Sequence, residues 1–288
     1  MPLPRDSHLL SDLTVNDIQA YLENKQTILI PIASTEQHGP HLPLCTDTIT
    51  AYEVSRRAAA RADVLYTPTV WTGYSPQHLR EPQSGSGTIT LRANTFLDLL
   101  YDISRSLVHS GFTHLVFVNG HGSNLKIIDP LLRRVRYDTG ALVAVYKPYA
   151  ERYMGLVGDL LESPPSEMPG WHAAELETSQ VMAFDETLVI RERMASTAVT
   201  APDWLPDSFG KVDGAPDLEF RGYQYFVMPL DHQEFTATGV IGNPMLATPE
   251  KGEKAFERFS NHLADAVTEL ATVRVSIRPE AKDWRQRA

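Results

Sequence analysis

The chain has 288 residues, of which 42% are hydrophobic, an ordinary globular composition with enough length for a substantial core. Its 26 Lys and Arg against 36 Asp and Glu give a formal net charge of -10. This balance argues against a nucleic-acid binder, which needs a basic face to meet phosphates. No apolar run approaches the ~20 residues that span a bilayer, and the start, "MPLPRDSHLL", lacks the apolar region of a signal peptide. The single cysteine, Cys45, fits a reducing compartment, so we expect a cytoplasmic protein.

Short apolar runs alternate with longer helical patterns along the chain. Four runs are rich in β-branched residues, as strands buried on both faces should be, and they cover residues 27–32, 64–70, 114–120 and 141–146. This alternation predicts an α/β fold with a mostly parallel central sheet and helices on both faces.

Four helices are predicted between and after these strands. They begin near Thr46, at Asn94 or Thr95, near Ser123, and after Thr248 as N-cap, and they end near residues 62, 111, 137 and 272. Pro130 lies inside the third pattern and should kink that helix or delay its start. Residues 196–235 are irregular, but no composition shift marks a second domain. We therefore expect one domain over 1–288 with an irregular excursion at about 196–235.

The stretches richest in histidine and carboxylate, 36–47 and 119–124, directly follow two predicted strands. Ligands of open parallel sheets bind at the carboxyl ends of the strands. Glu36 and His38 are two residues apart, so an extended chain points both side chains to one face. With Asp47 and His121 they form a set that suits Zn²⁺ or Mn²⁺. Spacing alone also allows the alternative that these are hydrogen-bonded loop residues and surface charges.

Three segments carry a resemblance to a known family. They are "TEQHGPHLPLCTD" (35–47), "NGHGSN" (119–124) and "GWHAAELETS" (170–179), and together they resemble the creatininase family of metal-dependent amidohydrolases. The likeness extends to "SGSGTITL" (84–91) and "TGVIGNPMLATPEKG" (238–252), so it spans nearly the whole chain in the right order.

The resemblance implies a three-layer αβα sandwich. It also implies two divalent metal ions per chain, zinc or manganese, with iron as a further option. Matching motifs imply that Glu36, Asp47 and His121 hold one metal, while His38 and Asp47 hold the other, with Asp47 bridging.

The chain departs from creatininase itself in one ligand. That enzyme reads N-G-H-Y-E-N, and its Glu binds the second metal, whereas this chain has Ser123 there. We expect Glu175 to replace the missing ligand, and Glu177 to be a supporting or structural residue.

Other residues in or near these segments are further candidates, one by the resemblance and the others by their position. His172 matches the family's proton carrier, with a structural helix-entry residue as the alternative. Trp171 could form a pocket wall or be a buried aromatic, and His78 and Ser123 are further candidates for substrate contact. His41 has no clear ligand role, and Cys45 could be a soft ligand.

The resemblance implies hydrolysis of a non-peptide C–N bond in a small polar molecule, a cyclic amide or a formamide, by a two-metal-activated hydroxide with His172 as acid. Family members that cleave small peptides or open oxidised cyclic sugars keep other substrates open, including a lactone. A metal-binding protein without turnover is a second alternative, and a nucleotide-binding Rossmann protein lacks its G-x-G-x-x-G motif. The family also implies a homo-oligomer, up to a hexamer, for which the aromatic-rich segment 219–230 could supply contact surface.

Overall fold

The computed structural model describes residues 7–150, 155–163, 172–211, 214 and 217–283. Its central sheet is parallel and contains four strands in the order β2-β1-β3-β4. These are β1 (Thr27–Ile32), β2 (Leu65–Tyr66), β3 (His114–Asn119) and β4 (Leu142–Tyr146).

Seven α-helices belong to the described part of the chain. They are α1 (Val15–Leu22), α2 (Thr46–Ala62), α3 (Ala93–Ser110), α4 (Asp129–Thr139), α5 (Glu175–Asp185), α6 (His232–Phe235) and α7 (Pro249–Leu270). Within these residues no helix combines the length and the apolar character that crossing a bilayer requires.

The period-2 alternation of the central strands builds two apolar layers. Ile28 and Ile30 of β1 pack into a cluster with α1, α3 and α4 on one face of the sheet. Leu29 of β1 and Val116 of β3 pack into a second cluster, with α2, α5 and α7, on the other face. Both strands are buried on both faces, which explains their continuous apolar sequences and confirms the predicted αβα sandwich.

Prolines account for two differences from the predicted elements. The predicted strand 64–70 is reduced to Leu65–Tyr66, because Pro68 has no N–H to donate and the chain rejoins β1 only at Val70. The predicted third helix is split into a 3₁₀ turn at Gly122–Lys126 and α4, which carries Pro130 in its first turn.

The excursion at 196–235 is less irregular than expected. It contains an antiparallel sheet of β5 (Phe209–Gly210), β6 (Asp217–Phe220) and β7 (Tyr223–Val227), followed by α6. All five residues of β7 are exposed, so the strand lacks the alternation that would have revealed it. The assignment of the whole chain to one domain stays a prediction.

A close approach at Gly120 places α2 against the end of β3. A Cβ on this residue would lie 2.5 Å from the Asp47 carbonyl oxygen and 2.8 Å from Thr50 Oγ1. Only a glycine permits this contact, and through it the first turn of α2 lies directly beside the loop that follows β3.

Candidate metal centre

The ends of β1 and β3 are level, because Ile32 pairs with Asn119 in the sheet register. The loop after β1 carries Glu36 and His38, and the loop after β3 carries His121. Asp47 joins them from the first turn of α2. All four side chains are buried, so the structure brings together at one strand edge the four residues singled out by the sequence.

A first group of ligand atoms consists of Glu36, Asp47 and His121. His121 Nδ1 lies 3.2 Å from Glu36 Oε1 and 3.1 Å from Asp47 Oδ2. The other ring nitrogen, Nε2, lies 3.0 Å from the Tyr74 carbonyl oxygen, which can only accept a hydrogen bond. In its neutral form this ring carries its proton on Nε2, which leaves the lone pair of Nδ1 available to a metal ion between the two carboxylates.

A second group consists of His38, Asp47 and Glu177. His38 Nε2 lies 3.3 Å from Asp47 Oδ1 and 3.7 Å from Glu177 Oε2. His38 Nδ1 donates to the Glu36 carbonyl oxygen at 3.1 Å, which leaves Nε2 free as a ligand. Asp47 thus directs one carboxylate oxygen to each group.

The donor atoms of both groups fit divalent cations. Glu36 Oε2, His38 Nε2 and Asp47 Oδ2 are buried and have no hydrogen-bond partner, a costly condition unless another species satisfies them. Bonds of ~2.0–2.1 Å to a tetrahedral zinc ion place neighbouring ligand atoms about 3.3 Å apart. The measured separations of 3.1 to 3.7 Å surround that value. The residues therefore suit the metals that the sequence implied.

Electrostatics point the same way. Burial alone would raise the pKa of Glu36, but His121 and His78 hold it well below its ordinary value. Burial likewise opposes the charged forms of His121 and His38, yet the surrounding carboxylates raise the pKa of His121 well above its usual range and that of His38 to about 10. Burial raises the pKa of Glu177 to about 7. The centre therefore demands positive charge between its carboxylates, which metal ions would supply in place of protons.

Glu175 does not reach this centre, and its assignment as a ligand is corrected. Its Oε1 accepts from Lys251 Nζ at 2.6 Å and from the Glu162 N–H at 2.9 Å. Its Oε2 accepts from the Ser163 N–H at 2.8 Å and the Ser163 hydroxyl at 2.6 Å. These donors hold the pKa of Glu175 below its usual value despite burial. The carboxylate ties α7 to the segment before α5.

Glu177 takes the place expected of Glu175. Residues two apart on a helix point about 200° apart around its axis, so only one of these two carboxylates can face the centre. Ala173, at the turn into α5, has a φ of 53° and donates its N–H to Glu177 Oε2 at 2.6 Å. The orientation of this turn selects Glu177, and the sequence contains no signal for it.

Three histidine rings lie beside the first group. His172 Nδ1 is 3.9 Å from Glu36 Oε1, and His172 Nε2 donates to the Gln37 carbonyl oxygen at 2.7 Å. His78 Nε2 is 3.2 Å from Glu36 Oε1, while its Nδ1 accepts from the Gln37 amide at 2.9 Å. His232 packs its ring against both, with centroids 4.2 Å from His78 and 4.9 Å from His172.

Burial and the neighbouring histidines hold the pKa of His172 well below its ordinary value, so this ring is neutral at pH 7. Burial and His78 do the same to the pKa of His232. The sequence analysis missed His232 because it lies in the excursion, outside every recognised motif. It also missed Gln37, whose amide and carbonyl contact two of the rings.

The remaining candidates lie outside both ligand groups. Ser123 is buried and accepts from Gln77 Nε2 at 2.8 Å. His41 contacts Thr178 Oγ1 at 3.1 Å, and burial lowers its pKa to about 4. Cys45 precedes α2 and packs against the apolar cluster of that face. Trp171 lies outside the described residues.

We predict that Glu175→Gln lowers the free energy of unfolding by about 2–3 kcal/mol at pH 7, because it removes a buried charge from Lys251 and Ser163. The folded-state pKa of Glu175 is depressed, so its contribution is complete above the unfolded value of about 4.3 and is lost as the pH falls through the folded value. Urea unfolding across this pH range should show the difference shrinking in acid.

The control is Glu162→Gln, because Glu162 pairs with the same Lys251 but is 66% exposed. The free energy of unfolding of this variant should stay within about 0.5 kcal/mol of the parent value. Equal stabilities for the Glu175 variant and the parent at pH 7 would contradict a structural role for that carboxylate.

The family model described as creatinine amidohydrolase matches residues 11–267. A creatinine amidohydrolase from Pseudomonas putida is 28% identical over 91% of this chain and 97% of its own length. A mycofactocin precursor peptide peptidase from Mycobacterium ulcerans is 31% identical over 85% of this chain and 84% of its own. A 3-dehydro-scyllo-inosose hydrolase from Thermotoga maritima is 25% identical over 90% of this chain and 82% of its own length.

Solved structures agree with these relatives. A manganese form of creatininase superposes with a TM-score of 0.71 at 27% identity, covering 93% of this chain and 100% of that one. A zinc–zinc form of a creatininase mutant gives a TM-score of 0.72 at 26% identity, with 93% and 100% covered. Sequence, fold and the grouping of buried carboxylates and histidines at one strand edge lead to one conclusion: the chain belongs to the creatininase family.

Proposed function

We propose that the protein is a metal-dependent hydrolase that cleaves a non-peptide C–N bond, in a cyclic amide or a formamide, of a small polar molecule. One observation carries this proposal: Asp47 directs one oxygen to each of two buried ligand groups. A shared carboxylate of this kind would hold two metal ions close together, as in binuclear hydrolytic centres.

Each group would hold one divalent ion, zinc or manganese. Glu36, Asp47 and His121 would hold the first, and His38, Asp47 and Glu177 the second. The zinc–zinc and manganese forms of related creatininases support this choice. When bound, two such ions lower the pKa of a water molecule and polarise the carbonyl that is attacked.

The chain itself supplies proton transfer. His172 is neutral, and its Nε2–H is held by the Gln37 carbonyl oxygen, so the ring is fixed with Nδ1 turned toward the first ligand group. A neutral imidazole in this position can accept a proton and deliver it to the leaving nitrogen. His78, Ser123 and Trp171 remain proposed substrate contacts.

A second candidate substrate class is an oxidised cyclic sugar or a lactone. The relative from Thermotoga maritima, a 3-dehydro-scyllo-inosose hydrolase, favours it, and the same centre could serve both reactions. A metal-binding protein without turnover is disfavoured, because it would have no need of a proton carrier beside the ligands. A panel of cyclic amides, formamides and lactones tests these classes directly.

We predict that Asp47→Ala loses both metal ions, because each ligand group depends on one of its oxygens. Glu177→Gln should lose the second ion selectively, together with most turnover. Ser123→Ala serves as the control and should retain both ions, because its hydroxyl belongs to neither group. Elemental analysis of the purified variants measures each outcome.

Two results would count against this ligand set. The first is an Asp47→Ala protein as metal-rich as the parent, which removes the bridging role. The second is a Ser123→Ala protein that loses an ion while Glu177→Gln keeps both, which would return the second site to the loop after β3.

We predict that His172→Ala keeps its metals and loses activity by roughly 10²–10⁴-fold, as expected when a general acid–base group is removed. Steady-state rates at matched metal content measure this. His41→Ala is the control, because His41 is also a buried histidine but contacts Thr178 rather than either ligand group. Parent-like rates in the His172 variant would leave that residue a structural role only.

A cytoplasmic location and self-association also belong to the proposal. The single cysteine supports the location. The strand β7 supports the assembly, because it exposes Tyr223, Tyr225 and Val227 by 70%, 61% and 68% at the free edge of its sheet. Exposed aromatic patches of this kind mark interfaces.

We predict that light scattering finds a homo-oligomer, up to a hexamer, at micromolar concentration. The double change Tyr223→Ser and Tyr225→Ser should shift the mass toward the monomer, because it removes aromatic contact area. Tyr137→Ser, at a tyrosine on α4 that is 56% exposed, is the control and should leave the mass unchanged. A monomeric parent would end this proposal.

A further inference from the structure

A cavity of about 350 Å³ opens beside the three histidines, within the usual size range of small-molecule sites. Gln37 and His232 both line it. The same Gln37 accepts a hydrogen bond from His172, and His232 packs against the His172 ring. The cavity therefore adjoins the side of the centre that holds the proposed proton carrier.

The rest of the wall is uncharged, and part of it consists of hydroxyl and amide side chains. It comes from loops at 84–86 and 236–239 together with Gly39, Pro40 and Gln233, and no lining residue is acidic or basic apart from His232. Ser84, Ser86 and Thr236 each donate their hydroxyl proton to a backbone carbonyl oxygen, at 2.7, 2.6 and 2.8 Å. These hydroxyls therefore offer lone pairs to a ligand, while their protons are already used.

This lining discriminates between ligand charges. A carboxylate or phosphate needs a cation or several free N–H and O–H donors to replace its water. A neutral ring that carries its own O–H or N–H groups brings protons for the lone pairs of these three hydroxyls. The lone pairs of the wall are then satisfied by the ligand itself.

Contacts around α6 fix the position of His232 at the cavity. Its Nδ1 is buried and has no hydrogen-bond partner. The helix α6, which carries His232, begins with a capping box between Asp231 and Glu234. Glu234 Oε1 also accepts a hydrogen bond from Trp204 Nε1 at 3.0 Å and lies 3.3 Å from Arg80 Nη1. These contacts fix the excursion next to the His232 ring.

We propose that this cavity is the substrate subsite, that it takes an uncharged ring compound rich in O–H or N–H donors, and that His232 hydrogen-bonds to that ring. This deepens the proposed hydrolase function and rests on it for the identity of the reaction. It assigns the excursion at 196–235 a purpose, the delivery of His232 to the substrate.

Calorimetric titration of the purified protein, with its metal content recorded, tests the subsite through three related rings. The probes are 4-hydroxy-2-pyrrolidinone, 2-pyrrolidinone and pyroglutamate, which differ in an added hydroxyl or an added carboxylate. The hydroxylated ring should bind most tightly and pyroglutamate most weakly. His232→Gln and His232→Leu should each weaken the hydroxylated ring by about tenfold, the effect of losing one hydrogen bond.

The control is His262→Gln, because His262 is exposed on α7 and remote from the cavity lining. Its affinities should equal those of the parent. The subsite is overturned if pyroglutamate binds as tightly as the hydroxylated ring, if none of the probes binds at tens of millimolar, or if both His232 variants bind like the parent.

A failure of the subsite can be distinguished from a failure of the hydrolase function. Binding needs no turnover, so a protein that binds the hydroxylated ring through His232 but hydrolyses no member of the substrate panel would contradict the reaction and keep the subsite. A protein that hydrolyses the panel, but whose His232 variants bind the hydroxylated ring like the parent, would contradict the subsite and keep the reaction.

Discussion

The central constraint in this protein is the crowding of three carboxylates: Glu36 and Asp47 are buried side by side, and Glu177, only 15% exposed, lies against the same Asp47. Buried carboxylates repel and lose their hydration, so they coexist only around positive charge. The imidazoles of His38 and His121 meet part of that demand as cations, and the unpartnered atoms Glu36 Oε2, Asp47 Oδ2 and His38 Nε2 mark where ions would meet it better. Two strands, β1 and β3, end at this point and two helices, α2 and α5, begin there, so that each element contributes one or two of these side chains.

The scaffold around the centre works through close backbone approaches. Gly120 admits the first turn of α2, and with it Asp47, to the end of β3. Gly239 has a φ of 78°, and a Cβ there would lie 2.2 Å from Gln37 Oε1, so it leaves room for the residue whose amide and carbonyl orient His78 and His172. The family's C-terminal segment, which contains Gly239, thus contributes space rather than ligands.

Neighbouring carboxylates on α5 serve opposite purposes. Glu175 is fully engaged by Lys251, Ser163 and the Glu162 N–H, and it stabilises the packing of α5 against α7. Glu177 has an N–H donor from Ala173 and otherwise faces His38 and Asp47. The same residue type therefore has different surroundings two positions apart, and a motif match to this stretch does not distinguish the two.

The sequence by itself determined the αβα architecture, since strands buried on both faces and amphipathic helices leave periodic signals that do not depend on distant residues. It also located Glu36, His38, Asp47 and His121, because strand ends converge in any parallel sheet. Only the tertiary structure placed Glu177 rather than Glu175 beside His38 and Asp47, which depends on one turn at Ala173. Only it brought His232 against the rings of His78 and His172 from a distant part of the chain. Such placements arise from packing between separate elements, and local pattern carries no record of them.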